Sequence, residues 1–439
     1  MHGMHLANQV PSLKGPLHEV EHPCCPPRPR GPAACFGGLR NLGAHHPKAA
    51  AQAPAASFQV LQQLHPTPTQ FASGPMAGQY YVPSTLDTIA WGYLPNRKAK
   101  PVLTVPSGAT VVFDTVSHEG LLEDQGRDAA AYFGAKGVPR DQVLPEAQAI
   151  TSSKLAHDFD KDGPHIVTGP IAVEGAMPGD VLKVEILKVE PRVPYGVISN
   201  RHGKGTLVGE FPRTPQQAGA SAAHPERYGN VSVFTPIEPG KRGWEGIIAT
   251  PGGQKIRFPL APFMGIMGVA ANTDQPVHSV PPASHGGNVD VNDLGAGTTA
   301  YYPVQVPGAL FYTGDSHFVQ GDGEVALTAL EGSARATFRI SVLKQGRDTV
   351  PGKHLAQPMG ETDAHWITLG LDPDLDEAMK KATREAIRFL VAEYGISEEQ
   401  AYAYLSAATD FEVSQVVDRT KGIHSKIRKS DFDEFKAKP

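Results

Sequence analysis

Residues 169–189 read Gly169-Pro170-Ile171-Ala172-Val173-Glu174-Gly175, a turn at Met177-Pro178-Gly179-Asp180, and then Val181-Leu182-Lys183-Val184-Glu185-Ile186-Leu187-Lys188-Val189. Two apolar runs separated by a Pro-Gly-Asp turn spell two closely joined strands. In the second run Leu182, Val184, Ile186 and Lys188 take one face, while Val181, Leu187 and Val189 share the other with Lys183 and Glu185. The alternation is clearest at the centre and fits a sheet with one wet face.

The same texture extends both ways. Upstream, Tyr80-Tyr81-Val82 and Lys100–Val105 read as strands, and the turn Pro106-Ser107-Gly108 leads into Ala109–Thr115. Downstream, strand signals recur at 246–270, 301–306, 309–314, 324–331 and 335–343, with Asp322-Gly323 as a turn signal. Residues 120–165 are polar and mixed, 200–245 irregular, and 280–300 a Gly- and Asn-rich loop. The C-terminal part differs. Asp372-Pro373 suits an N-cap followed by proline in the first helical position. Leu375, Ala378, Met379, Ala382, Ala386 and Phe389 then recur at spacings of three and four up to Gly395, an amphipathic helix. Ser397 with Gln400 offers a capping box for a second helix through about Thr409. The fold class is therefore mainly β, α+β overall, with a C-terminal helical hairpin.

Composition agrees and excludes alternatives. Of 439 residues, 46 are Gly and 40 Pro, which disfavours a helical bundle or coiled coil. Lys and Arg number 40 against 45 Asp and Glu, a net charge of -5, with no basic excess for nucleic acid. No window of about 18 apolar residues marks a membrane span. No charged stretch followed by an apolar one marks a secretion signal, so a cytoplasmic location is expected. Residues 1–75 read as a weakly ordered leader, 76–350 as a β-rich catalytic body with long insertions at 121–165 and 200–245, and 351–439 as a helical region packed on that body. Cys24, Cys25 and Cys35 all lie in the leader, so no disulfide framework holds the body. Their spacing, with His18 and His22, does not match the common zinc-ligand pairs.

The densest polar constellation is Gly314-Asp315-Ser316-His317-Phe318-Val319-Gln320-Gly321-Asp322-Gly323-Glu324, set between two apolar runs. Asp, His and Glu are the ligand types a zinc-like ion accepts. Asp315 and His317 share strand parity, and Glu324, opening the returning strand, can face them. A solvated polar turn is the alternative. A second cluster, Asp114-Thr115-Val116-Ser117-His118-Glu119, leaves the end of an apolar strand. Asp114, His118 and Glu119 are candidates for metal ligation or acid–base work, or simply a surface loop. Glu174 ends the run Ile171-Ala172-Val173. A carboxylate there is either paired, metal-bound or on an exposed edge. The loop His285–Asp293 has oxygen ligands at alternate positions, but counted from Asn288 its sixth position is Asp293 where a calcium hand needs Gly, and its twelfth is Thr299 where it needs Glu. His202-Gly203-Lys204-Gly205-Thr206 lacks the spacing of a phosphate loop. No Gly-x-Ser-x-Gly elbow follows a strand, and no cysteine past residue 35 can serve as nucleophile.

Four segments together resemble the acetamidase/formamidase family: 168–180, 261–270, Gly286-Gly287-Asn288-Val289-Asp290, and 314–324, in that order. The resemblance runs from about residue 80 to 435. It implies a β-sandwich-like core and hydrolysis of a short aliphatic carboxamide, of the formamide or acetamide type, to acid and ammonia. It also implies a divalent metal, zinc or alternatively calcium, and a homo-oligomer. Carried onto this chain, the motif residues are Glu174, Asn288, Asp290, Asp315, His317, Gln320 and Glu324, with Asp114 and Thr115 earlier. The expected roles are catalysis by Glu324 and Glu174, metal ligation by Asp315, His317 and Asp114, and substrate binding by Asn288, Asp290, Gln320 and His118. The long insertions depart from the usual pattern and suggest a larger amide as an alternative substrate. A noncatalytic small-molecule-binding β module is the rival from another class.

Overall fold

The run that opens the sequence reading forms the strand Val181–Pro191. In the computed structural model, which describes residues 58–435, Leu182, Val184 and Ile186 point into the core as the alternation requires. The alternation then breaks. Phe338 pairs with Ile186 and the adjacent Thr337 with Lys188, so Leu187 is an extra residue, a β-bulge. One inserted residue flips every later side chain. Lys188 therefore faces out and Val189 in, the reverse of strict alternation.

Two large sheets result. One has ten strands in the order Thr69–Gln70, Tyr80–Val82, Ala109–Asp114, Ala334–Leu343, Val181–Pro191, Thr299–Pro303, Met359–Glu361, His365–Asp372, Lys421–Arg428, Asp410–Gln415. The other runs Lys255–Pro259, Gly243–Ala249, Val231–Gly240, Tyr195–Asn200, Leu330–Glu331, Phe311–Val319, Phe263–Gly268, Gly286–Asn288, and Ile166–Val173 also pairs with Phe311–Val319. One core cluster draws on both sheets, so they pack face to face as a sandwich. At its centre Phe113 and Phe338 of the first sheet meet Phe311 of the second edge to face, with ring centroids 5.6–5.9 Å apart. Such aromatic pairs contribute about 0.5–1.5 kcal/mol each beyond their area.

The C-terminal helices are Leu375–Tyr394 and Glu398–Ala408. The capping box is present, with Ser397 Oγ accepting from Gln400 N at 3.2 Å and Gln400 Oε1 from Ser397 N at 3.0 Å. The start of the first helix differs from expectation. Asp374, not Asp372, is the N-cap, its carboxylate accepting from the Asp376 and Glu377 amides. Asp372 ends a strand and instead accepts from Asp374 N. The helix rests on the sandwich. At Gly370 a Cβ would lie 2.2 Å from Ala378 O and Ala382 N, so only glycine lets strand and helix approach this closely.

Several expectations need correction. The 351–439 region is not all helix, because four of its segments are strands of the ten-stranded sheet. The irregular 200–245 region contains the strand Val231–Gly240 and the start of Gly243–Ala249. The 121–165 region contains the helices Ala129–Gly134 and Pro145–Ser152. Residues 324–329 are not strand, and only Leu330–Glu331 is. The leader ends earlier than residue 75. Phe58 packs edge-on against Trp244 at 5.2 Å, and Leu61 N donates to Arg192 O. Cys24, Cys25 and Cys35 lie outside the described residues. Among the described residues no helix is long and apolar enough to cross a membrane.

Candidate active site

The strand Phe311–Val319 is buried along nearly its whole length, because strands flank both its edges. It carries Asp315 and His317. Opposite His317 its neighbours place Phe263 and Glu331. Ile166–Val173 pairs on Gly314 and brings His165, which directly precedes it. Gly286–Asn288, paired with Phe263–Gly268, brings Asn288 and then Asp290. His118 follows the strand Ala109–Asp114, and Asp418 follows Asp410–Gln415. Asp290, Asp315, Glu324, Glu331 and Asp418 thus converge with His118, His165 and His317, all buried.

The distances define a connected floor. Asp315 lies 3.4 Å from His118 Nδ1, 3.7 Å from His165 Nε2 and 3.2 Å from His317 Nε2. His317 Nε2 is also 3.1 Å from Glu331 and 3.9 Å from Asp290. Its other nitrogen is held by Gln320 Oε1 at 2.9 Å, and the Gln320 amide nitrogen donates to Asp290 O and Ser414 O. No lysine or arginine of the described residues pairs with any of these five carboxylates. Several of their atoms have no hydrogen-bond partner: both oxygens of Asp290, Asp315 Oδ1, Glu331 Oε2 and Asp418 Oδ2. Both His118 nitrogens and Asn288 Oδ1 are also without one.

Proton affinities follow from this crowding. Burial, then Glu324 and Asp418, raise the Asp290 carboxyl well above its usual range. Burial, then Asp418, does the same to Glu324. Burial and Asp315 lift Glu331 to about 7, and burial chiefly lifts Asp418 to about 7. Asp315 is the exception. Burial opposes its charge, but His165 and His317 outweigh burial and hold it well below the carboxylate range.

Backbone geometry marks the same place. Asp290, Asp315 and Glu324 adopt φ of 50°, 49° and 47°, in the left-handed region that non-glycine residues seldom enter. Each such residue costs on the order of 1–3 kcal/mol and persists where the surroundings over-determine it, commonly at functional sites. At Gly265 a Cβ would fall 2.6 Å from Asp290 Oδ1 and from His317 Cε1, so a side chain there would collide with the floor.

The floor opens into a cavity of about 820 Å³. His118, His165, Asn288, Asp315, Glu324 and Glu331 line it, together with Arg201, Lys204 and Arg419. Behind His118, Glu119 lies 3.4 Å from Nε2 and is held by Arg201 at 2.9 Å and by Ser199 Oγ at 2.7 Å.

Of the residues singled out in the sequence, Asp315, His317, Glu324, Asp290, Asn288, Gln320 and His118 come together. Asp114 does not join them. Arg335 takes both its oxygens at 2.6 and 2.9 Å, Tyr81 OH donates at 2.6 Å and Arg192 stands at 3.5 Å, which occupies its lone pairs. Glu174 does not join them either: it is exposed in the turn between two strands and does not line the cavity. Gln320 lies at the floor, but both ends of its amide are used to hold His317, Asp290 and Ser414, so it positions rather than offers a free group to substrate. His165, Glu331 and Asp418 escaped the sequence reading. Glu331 carries the signal that drew attention to Glu174, an acid ending an apolar run.

A second grouping, Asp293, Glu412 and His424, lies apart from the floor, with both carboxylates half-buried and His424 buried. Lys426 reaches both carboxylates, at 3.2 and 3.4 Å, and answers their charge.

The family model of the acetamidase/formamidase family matches residues 147–276 and 271–427. The chain is 28% identical over 354 residues to a formamidase of Methylophilus methylotrophus, covering 69% of this chain and 87% of that one. It is 27% identical over 316 residues to an acetamidase of Mycolicibacterium smegmatis, covering 58% and 76%. A crystal structure of an acetamidase from Bacillus halodurans superposes with a TM-score of 0.61 at 28% identity, over 81% of this chain and all of that one. A family model that matches most of the chain has a plain reading: this chain belongs to the acetamidase/formamidase family, amidohydrolases acting on linear amides.

Proposed function

We propose that the chain hydrolyses a linear carboxamide of the formamide or acetamide type to carboxylic acid and ammonia, with a divalent ion, zinc, held at the cavity floor. The observation that carries the proposal is the set His118, His165 and Asp315, whose ligand atoms lie within 4.8 Å of one another. Their chemistry fits such an ion: two imidazoles and a carboxylate, buried, with His118 Nδ1 and Asp315 Oδ1 otherwise unpartnered. The outer contacts fit too, because Glu119 backs His118 and Ser279 Oγ backs His165 Nδ1 at 3.0 Å. When bound, the ion supplies carbonyl polarisation and lowers the pKa of a water to roughly 7.

The chain's own residues do the rest. Glu331, near 7, accepts the proton of the attacking water. Glu324, raised well above its usual range, holds a proton at neutral pH and delivers it to the leaving nitrogen. A C–O bond forms, the C–N bond breaks, and ammonia leaves. Asn288 Oδ1, a buried acceptor on the cavity wall, accepts from the substrate N–H. The cavity volume favours a second reading, a longer amide. A two-carbon amide occupies on the order of 100 Å³, taking a water's share of about 30 Å³ per heavy atom as the scale, and fills a small part of the space.

The test is ammonia release from formamide and acetamide, before and after dialysis against a chelator, with elemental analysis of the same samples. Activity that is lost with the metal and returns with added zinc is expected. Full turnover by protein shown to be metal-free would remove the ion from the proposal.

A further inference from the structure

Lys204 lines the same cavity as the floor, yet it has no ion-pair partner among the described residues. Its ammonium stands over the Phe159 ring at 5.7 Å. Arg419 also lines the cavity and also pairs with no carboxylate there. Two further cations line the cavity: Arg201, ion-paired with Glu119 and Asp124 at 2.9 and 2.8 Å, and Lys421, whose Nζ donates to Pro373 O at 2.6 Å. None of the carboxylates that line the cavity stands within ion-pair distance of Lys204. Asp162 accepts from Tyr93 OH and Asp158 N, and Asp160 stands on the exposed rim beyond ion-pair distance of Lys204.

The backbone that carries Lys204 is fixed, not loose. Lys204 N donates to Arg201 O at 3.1 Å and Thr206 N to Val325 O at 2.9 Å, while Asn200 Nδ2 reaches Ala326 O at 2.6 Å. The Lys204 turn is therefore tied to the loop that begins at Glu324. Burial, then the Arg201 charge, disfavours the Lys204 ammonium; Asp124 and Asp160 offset this in part and Arg419 adds to it. A half-buried cation repelled by two others, in a cavity with spare volume, gains most from an anion. The wall also offers Phe159, Tyr228, Val280, Leu327 and Val417, apolar surface suited to methylene groups.

We propose that Lys204 and Arg419 form an anion subsite, and that the preferred substrate is a linear carboxamide bearing a carboxylate several methylenes from its amide. This deepens the reading of the floor as an amide-hydrolysing site and rests on it. The amide end reaches Asp315 and its neighbours, the chain crosses the apolar wall, and the carboxylate pairs with the two cations.

The experiment compares kcat/KM for succinamate and glutaramate with that for butyramide and valeramide, in the metal-loaded enzyme and in a Lys204→Met, Arg419→Gln double variant. The wild type is expected to prefer the acidic amides by roughly tenfold or more, and the variant to lose that ratio. Calorimetric binding of glutarate, which needs no turnover, is expected to weaken by a similar factor in the variant. Hydrolysis of the neutral amides with no acidic preference, or glutarate binding unchanged in the variant, overturns the subsite and leaves the amidase reading standing. No turnover of any amide with Lys204-dependent glutarate binding supports the subsite and overturns the amidase reading instead.

Discussion

Asp114 and Asp315 are both buried aspartates on apolar strands, yet their surroundings are opposite. Asp114 is enclosed by the guanidinium of Arg335, the Tyr81 hydroxyl and Arg192, itself fully buried and bound to Glu146 at 2.6 Å. Nothing is left over for a ligand. Asp315 meets only imidazoles, and four further carboxylates crowd behind it without a permanent cation. The first arrangement is complete as folded. The second keeps unused lone pairs and displaced proton affinities, the condition a catalytic centre needs. A buried carboxylate is thus not in itself a site; the partner that answers its charge decides.

The comparison can be broken by substitution. The largest effect belongs to the floor. Glu324→Gln is expected to cut kcat on formamide by about 10²–10⁴ while leaving the thermal midpoint no lower, since it removes one of several crowded acids. Unchanged ammonia release from this variant, measured beside its melt, would take Glu324 out of the mechanism.

Next comes the closed network. Asp114→Asn leaves the Arg335 guanidinium without its counter-charge, while Arg192 keeps Glu146, and should cost about 3–5 kcal/mol in urea unfolding. The surviving folded fraction should keep its kcat. A loss of turnover larger than the loss of folded protein would restore Asp114 to the site.

The Asp293, Glu412 and His424 group gives the smallest effect. The hydrogen bond with His424 and the Lys426 ammonium outweigh burial and hold the Asp293 carboxyl at about 2. Its folded value lies below the unfolded value of about 3.9, so its contribution is present above pH 4 and disappears as pH falls through 2. Asp293→Asn should lower the melting midpoint at pH 7 by about 2 °C, and the gap should close near pH 2. A gap that is constant with pH would mean that the side chain's shape, not its charge, stabilises the fold.

The sequence was most legible where chemistry and periodicity coincide. Asp315, His317, Gln320 and Glu324 stand within ten residues between apolar runs, and their types and spacing pointed to one place. The sandwich core followed from alternation, except at Leu187, where a bulge shifts the register and only the partner strand reveals it. Asp114 and Glu174 misled for different reasons. What pairs with Asp114 are arginines 78 and 221 positions away, which no local window contains. Glu174 and Glu331 carry the same local signal, and only sheet pairing, which sets Glu331 opposite His317, separates them. His165 and Asp418 lie in stretches whose composition reads as loop or helix, and tertiary closure alone brings them in.

The site also has a history in time. Gln320 is bound to Ser414 O, and Gly323 N to Val413 O, so the loop carrying Glu324 leans on a strand near the far end of the chain. Asp418 arrives with that strand, some 300 residues after His118. A nascent chain holds the histidines and most of the acids long before it holds the contacts that set them against one another. Such long-range closure is slow and comes late in folding. The charge crowding at the floor is therefore postponed until the surrounding sandwich can bear it.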